Sequence, residues 1–171
     1  MKILLNKKSL PTSLRLFNDI GFVPTMGSIH RGHLSLIKQS KKNCKKTVVS
    51  IFVNPKQFNN KSDFINYPSN IKRDLKILKK SKAVDFVYIP KIHEVFKDQI
   101  PIKINIKKKD KILCAKYRKG HFEGVLDVMD RLTKRIKPKF IFMGIKDYQQ
   151  LHLVKNFVEK KHKCKIVPCK T

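Results

Sequence analysis

The stretch "VPTMGSIHRGHLSLI", residues 23–37, is the part of this chain whose reading decides the fold. Gly21, Phe22 and Val23 read as the end of a buried strand. Pro24, Thr25, Met26 and Gly27 form a turn, and Leu34, Leu36 and Ile37 open a helical spacing. His30 and His33 stand between the two, around Gly32. At a helix N-terminus the first backbone N–H groups lack partners, and the helix dipole favours an anion. Imidazoles placed there add donors for phosphate oxygens and can stabilise charge that develops in a transition state. Gly27 and Gly32 allow the backbone to come close to a ring or a phosphate that a Cβ would obstruct. H-x-G-H between a strand and a helix therefore points to a nucleotide-phosphate site. Two alternatives stand beside it. One is a pair of unrelated surface or core histidines. The other is metal ligation, since residues three apart share a helix face. No third ligand is near and H-E-x-x-H is absent, so no residue is assigned to a metal.

Outward from this stretch the chain alternates. "TVVSIFV" (47–53) is a continuous β-branched run ended by Asn54-Pro55, and "IKRDLKILKKS" (71–81) sets Ile71, Leu75 and Leu78 at helical spacing. "AVDFVYIP" (83–90) is strand-like, and "IPIKINI" (100–106) alternates with period two. "HFEGVLDVMDRLTKRI" (121–136) is a helix with Phe122, Val125, Val128 or Met129, and Leu132 on one face. "KFIFMG" (139–144) is a short buried strand. "YQQLHLVKNFVEKKH" (148–162) is a helix with Leu151, Val154, Phe157 and Val158 inward, and "KIVPC" (165–169) is a last strand. Strands alternating with helices predict an α/β fold, a Rossmann-like parallel sheet with helices on both faces. Ligands in such sheets bind beyond the carboxyl ends of the strands. The loops expected to matter are thus 24–33, 54–58 and 144–150. The 171 residues suit one domain, 1–171.

Composition narrows the function classes. The net charge is +28, which invites a nucleic-acid partner. All but six of the 40 basic residues are lysine, however; the arginines are 15, 31, 73, 118, 131 and 135. Recognition of base edges and phosphates draws on arginine's planar fork, and the lysines are spread along the whole chain. No specific nucleic-acid partner is expected. The four cysteines (44, 114, 164 and 169) match no zinc ribbon or finger and read as buried thiols of a reducing compartment. No run reaches the length of a membrane span, and "MKILLNKKSL" is too short in its apolar part for a signal peptide. A cytoplasmic protein without membrane association is expected.

Taken together, "FVPTMGSIHRGHLSLI", "VVSIFVNPKQF", "YP", "RKGHFEGV" and "FMGIKDYQQL" resemble the pantoate–β-alanine ligase (pantothenate synthetase) family, within the H-x-G-H nucleotidyltransferase superfamily. The segments occur in the family's order and approximate spacing from about residue 20 onward. The resemblance implies a ligase of pantothenate biosynthesis, a coenzyme A precursor pathway, with pantoate, β-alanine and ATP as substrates and Mg²⁺ accompanying the nucleotide. Pantoate's carboxylate would attack the α-phosphate of ATP to give pantoyl adenylate and pyrophosphate. The amine of β-alanine would then attack the acyl carbon and release AMP.

By position in the motifs, His33, His30 and Lys146 are the expected catalytic residues. Met26, Gly27, His30, Gly32, His33, Gly144, Ile145, Lys146 and Asp147 are expected at ATP. Gln57, Gln150 and Met26 are expected at pantoate and β-alanine. The chemistry of these side chains agrees: an amide donates and accepts together, which suits a substrate bearing carboxylate and hydroxyls. Lys146 is a mobile cation for phosphate, and Asp147 an acceptor for a ribose hydroxyl or a helix cap. Arg118 and His121 are weaker candidates, His121 also suiting a packing or capping role.

Two departures from the family pattern are visible. Ile145 stands where the family usually has Glu. The chain also ends at "IVPCKT", where the family continues into a Ser-Ser-Arg loop and a smaller C-terminal domain, so that domain is expected to lie outside this chain. The resemblance leaves a homodimer open. It also leaves two other functions, another nucleotidyltransferase of the same fold or a non-catalytic basic binding module.

Overall fold

The computed structural model describes residues 1–6, 9–96, 104, 106 and 114–171. Six strands form one sheet: β1 (Lys2–Leu4), β2 (Ile20–Thr25), β3 (Lys46–Ile51), β4 (Phe86–Tyr88), β5 (Phe140–Gly144) and β6 (Lys165–Cys169). Their order is β1-β4-β3-β2-β5-β6, and every pairing is parallel. Eight helices accompany them among the described residues: α1 (Ser9–Leu14), α2 (Arg31–Asn43), α3 (Lys61–Ile65), α4 (Ile71–Lys80), α5 (Ile92–Phe96), α6 (Cys114–Tyr117), α7 (His121–Ile136) and α8 (Tyr148–Lys161).

Alternation along the strands sends side chains to two apolar layers, as a sheet buried on both faces requires. Phe22, Val48, Tyr88 and Ile141 pack with Leu10 and Leu14 of α1, Leu126 and Leu132 of α7 and Val154 of α8. Their sequence neighbours Val23, Val49, Val87 and Phe142 pack with Leu36 and Ile37 of α2 and Leu78 of α4. The Rossmann-like sheet with helices on both faces is therefore present.

Several expectations shift in detail. The strand expected over 83–90 narrows to Phe86–Tyr88. The N-terminal residues, read only for targeting signals, supply the edge strand β1, paired with β4 from Lys2↔Phe86 to Leu4↔Tyr88. Three residues are too few to show a period. The alternating run 100–106 lies outside the described residues apart from Ile104 and Ile106. Helix α7 covers the expected range, yet Asp127, Asp130, Arg131 and Thr133 are buried along with its apolar face.

The lysines also find a local reason. The last turns of α2, α4, α7 and α8 carry Lys41 and Lys42, Lys79 and Lys80, Lys134 and Arg135, and Lys160 and Lys161. Cations at helix C-termini interact favourably with the dipole.

From β2 the chain moves outward through β3 and β4, then returns to the other side of β2 for β5 and β6. The order reverses between β2 and β5, and at such a switch point the loops leaving the two strands diverge and open a crevice. One of these loops carries the two histidines. The other carries Lys146 and Asp147.

Candidate active site

A cleft of about 350 Å³ occupies that crevice. Met26, Gly27, His30, Gly32 and His33 line it after β2, Asn54 and Gln57 after β3, and Gly144, Lys146, Asp147 and Gln150 after β5. Val125, Val128, Met129 and Leu132 of α7 supply an apolar wall. Small-molecule sites commonly have this size, this apolar lining and a few converging polar groups. Ile145 is absent from the lining; its side chain is 41% exposed at the start of a 3₁₀ turn, Ile145–Asp147. Arg118 is exposed and does not line the cleft.

The histidine pair is built into the helix start. Helix α2 begins at Arg31, earlier than the apolar spacing indicates, so His30 is its N-cap and His33 lies in its first turn. Nδ1 of His30 accepts the backbone N–H of Gly32 at 3.0 Å, and Nδ1 of His33 accepts the backbone N–H of His30 at 3.4 Å. This is the reciprocal arrangement of a capping box, with imidazoles in the places of Ser/Thr and Glu. A backbone N–H can only donate, so neither Nδ1 carries a proton. The remaining N–H of each neutral ring is at Nε2. The rings lie side by side, their centroids 4.0 Å apart. Burial, together with the neighbouring His30, pushes the pKa of His33 down to about 4, against a smaller opposing pull from Asp74. The first turn of α2 contains no acidic side chain to offset the helix dipole. The result is a helix N-terminus flanked by two imidazoles whose Nε2 atoms are left free to donate, an arrangement that receives phosphate oxygens.

The turn ahead of it is strained in a way its residues accommodate. Gly27 has φ +89° and Ser28 φ +50°. A Cβ on Gly27 would lie 2.9 Å from Oδ2 of Asp74, so glycine is required there by conformation and by space. The hydroxyl of Thr25 donates to the carbonyl of Ser50 at 2.7 Å and accepts the N–H of Gly27 at 3.1 Å. Ser28 donates its hydroxyl to the carbonyl of Pro68 at 2.6 Å.

Gln57 ends a 3₁₀ turn, Pro55–Gln57, capped by the side chain of Asn54. Asn54 is buried; its amide donates to Oε1 of Gln57 at 3.1 Å and to the carbonyl of Gly124 at 2.9 Å. Nε2 of Gln57 lies 2.9 Å from Sδ of Met26, so residues from two loops meet. His121, buried, donates from Nδ1 to the main-chain carbonyl of Gln57 at 2.7 Å. Burial pushes its pKa down, partly offset by that bond. It holds the glutamine turn from behind. Asp147 occupies the N-cap position of α8 without making a capping bond, leaving its carboxylate on the cleft.

Sequence reasoning missed Asp74 and Asn54. Asn54 had a readable signal, an Asn before Pro at a strand end, the pattern of a capped turn. Asp74 had none, since an acid in a helix's first turn reads as a partner for the dipole. Among the described residues no three His, Cys, Asp or Glu side chains gather as metal ligands, and no helix is long and apolar enough to cross a membrane.

Known proteins share both sequence and geometry with this chain. A pantothenate synthetase from Leptospira biflexa is 45% identical over 142 residues, covering 82% of this chain and 50% of its own length. One from Leptospira interrogans is 50% identical over 139 residues, 81% of this chain and 48% of its own. This chain thus spans about half the length of these curated relatives. A solved pantoate-β-alanine ligase from Francisella tularensis, complexed with "Beta-gamma ATP" and β-alanine, superposes on all of this chain and 67% of its own with TM-score 0.94 and 39% identity. Pantothenate synthetase from Thermus thermophilus covers all of this chain and 62% of its own with TM-score 0.93 and 32% identity. With a model of the pantoate-beta-alanine ligase family matching residues 4–171 as well, the chain belongs to that family.

Proposed function

We propose that this chain binds ATP, pantoate and β-alanine and serves the two-step condensation to pantothenate through a pantoyl adenylate. The observation that carries this reading is the cleft at the switch point. There the two Nε2 donors of His30 and His33 share one space with the amides of Gln57 and Gln150 and the ammonium of Lys146.

The chemistry follows from the positions. The α2 N-terminus with His30 and His33 holds the phosphates and stabilises charge on the oxygens of the pentacoordinate α-phosphorus as pantoate's carboxylate oxygen attacks. Lys146, exposed at the opposite wall, follows the leaving pyrophosphate's charge. Gln57 and Gln150 orient pantoate, and Met26 fills the space between pantoate and the adenine side. Asp147 accepts a ribose hydroxyl. In the second step the β-alanine amine attacks the acyl carbon, AMP leaves, and the amine's proton is lost to solvent. Mg²⁺ bound with ATP would offset phosphate charge and, keeping several of its waters, would need few protein ligands.

The same reading sets the chain in the cytoplasm, where Cys44, Cys164 and Cys169, all free and buried, persist as thiols. The direct test supplies ATP, Mg²⁺, pantoate and β-alanine and follows pantothenate, AMP and pyrophosphate by mass spectrometry. Pantoate-dependent release of pyrophosphate is expected. Nucleotidyl transfer to a phosphorylated acceptor, with none to pantoate, would overturn the reading.

A further inference from the structure

Asp74 belongs to α4 and is 46 and 45 residues from Ser28 and Ile29 in sequence, yet both oxygens of its carboxylate are bonded to that turn. Oδ2 accepts the N–H of Ser28 at 2.9 Å and Oδ1 accepts the N–H of Ile29 at 2.8 Å. The side chain is 2% exposed. Two successive left-handed residues, Gly27 and Ser28, turn consecutive N–H groups toward one point, which makes a small concavity for an anion. The concavity lies directly before the His30 cap, beside the place where phosphate is expected. It is already filled by a carboxylate of the protein.

This arrangement has a consequence for the histidines. Without an anion on them, the N–H groups of Ser28 and Ile29 would compete for phosphate or for water. The left-handed backbone at Ser28, unfavourable for a residue with a side chain, would also lose its support. The N–H of His30, the next in line, is the one that His33 accepts. A turn relaxed at 28 and 29 moves that N–H and releases Nδ1 of His33. Ser28 adds a second tie to the same neighbourhood through Pro68, and Asn70 starts α4 by accepting the N–H of Arg73 at 2.9 Å. The α4 start and the histidine turn therefore move as one piece.

We infer that Asp74 is a positioning residue: its buried carboxylate fixes the 27–29 turn so that His30 and His33 keep both Nδ1 atoms on the backbone and present both Nε2–H donors to phosphate. It touches no reacting atom. The part of this inference that concerns ATP rests on the proposed function; the state of the histidine rings does not.

The test is long-range ¹H–¹⁵N NMR of the imidazoles in the ligand-free chain, joined to calorimetry with ATP and with pantoate. In the unaltered protein both rings show the Nε2–H tautomer at pH 7. Asp74→Asn keeps the size but replaces one acceptor oxygen with a donor facing an N–H. In this variant His33 is expected to lose its single-tautomer pattern, and ATP affinity to fall roughly tenfold. Pantoate affinity stays within about twofold, because Gln57 and Gln150 are held by other elements. Asp74→Glu, which retains the charge and both acceptors, restores most of the ATP affinity.

Should Asp74→Asn fail to fold, Asp74→Ala, which removes both acceptors without placing a donor against the N–H groups of Ser28 and Ile29, makes the same decision, and the same change at His33 is expected. A folded variant of either kind with unchanged histidine tautomers would overturn the inference. So would equal losses for ATP and pantoate, which mark a general structural role. Altered tautomers with no ATP binding even in the unaltered protein would leave the positioning role standing and overturn the function proposed above.

Discussion

His121 donates from Nδ1 to the main-chain carbonyl of Gln57 at 2.7 Å, so the first residue of α7 fixes a turn that lies 64 positions earlier in the chain. The bond is partly buried, and the ring also packs edge-on against Phe122 at 4.8 Å between centroids. His121→Phe keeps the packing and strands the carbonyl, at a cost of about 1–3 kcal/mol. Pantoate affinity is expected to fall severalfold while ATP affinity holds. Calorimetry in which ATP suffers first would contradict this placement.

His33 makes stability depend on pH. Its folded pKa is about 4 against an ordinary 6.5, so between those values the unfolded chain binds the extra proton and the folded chain does not. The stabilisation from its neutral ring is complete above about pH 6.5 and is lost as pH falls toward 4. Protonation puts hydrogen on Nδ1, the atom that accepts the N–H of His30, which opposes His30's own cap as well. With solvent reaching the half-buried ring, the loss is on the order of 1–2 kcal/mol. Urea unfolding at pH 7, 5.5 and 4.5 should show it, and His33→Asn should flatten the slope. An identical slope in the variant would assign the effect to other groups.

For the reaction itself, His33→Ala is expected to slow adenylate formation roughly 10²–10³-fold, the usual effect of deleting one donor to developing charge. The same substitution removes half of the reciprocal cap and costs a further 0.5–2 kcal/mol or so in stability. Pyrophosphate release measured well below the unfolding temperature separates the two effects. A normal rate in the folded variant would take His33 out of the mechanism.

Gln150→Ala should weaken pantoate binding roughly 10- to 150-fold and spare ATP. Gln57→Ala does the same but also frees the Asn54 amide from its partner at Oε1, so it alone should lower the unfolding temperature. Equal thermal shifts in the two variants would argue against the Asn54 contact.

On α7, Asp127 receives Lys56 at 2.7 Å and the Arg131 side chain, which is 1% exposed. Removing this carboxylate takes a charge-assisted hydrogen-bond partner from the buried Arg131 and from Lys56, so Asp127→Ala is expected to cost about 1.5–3 kcal/mol. Lys56 also precedes Gln57, and its release should raise the KM for pantoate. Thermal unfolding close to that of the unaltered chain would show that Arg131 finds a different counter-charge.

Much of this was readable from local pattern. The runs 47–53, 139–144 and 165–169 and the helices 71–81, 121–136 and 148–162 announce themselves because hydrophobic periodicity is a property of a few adjacent residues. The H-x-G-H turn is legible for the same reason, since strand, turn, cap and helix follow one another in the chain. Other features depended on which distant segments pair. The order of the sheet, with β2 between β3 and β5, brings the loop at 26–33 against the loop at 145–150. The three-residue strand β1 exists because β4 offers it an edge. Asp127 and Arg131 read as the polar face of a helix, and Phe96 and Lys56 arriving from elsewhere make that face interior. Asp74 looks in sequence like any acid at a helix start. Its charge is committed to the N–H groups of Ser28 and Ile29 only because α4 packs beside that turn, and a contact of that kind leaves no local pattern to read.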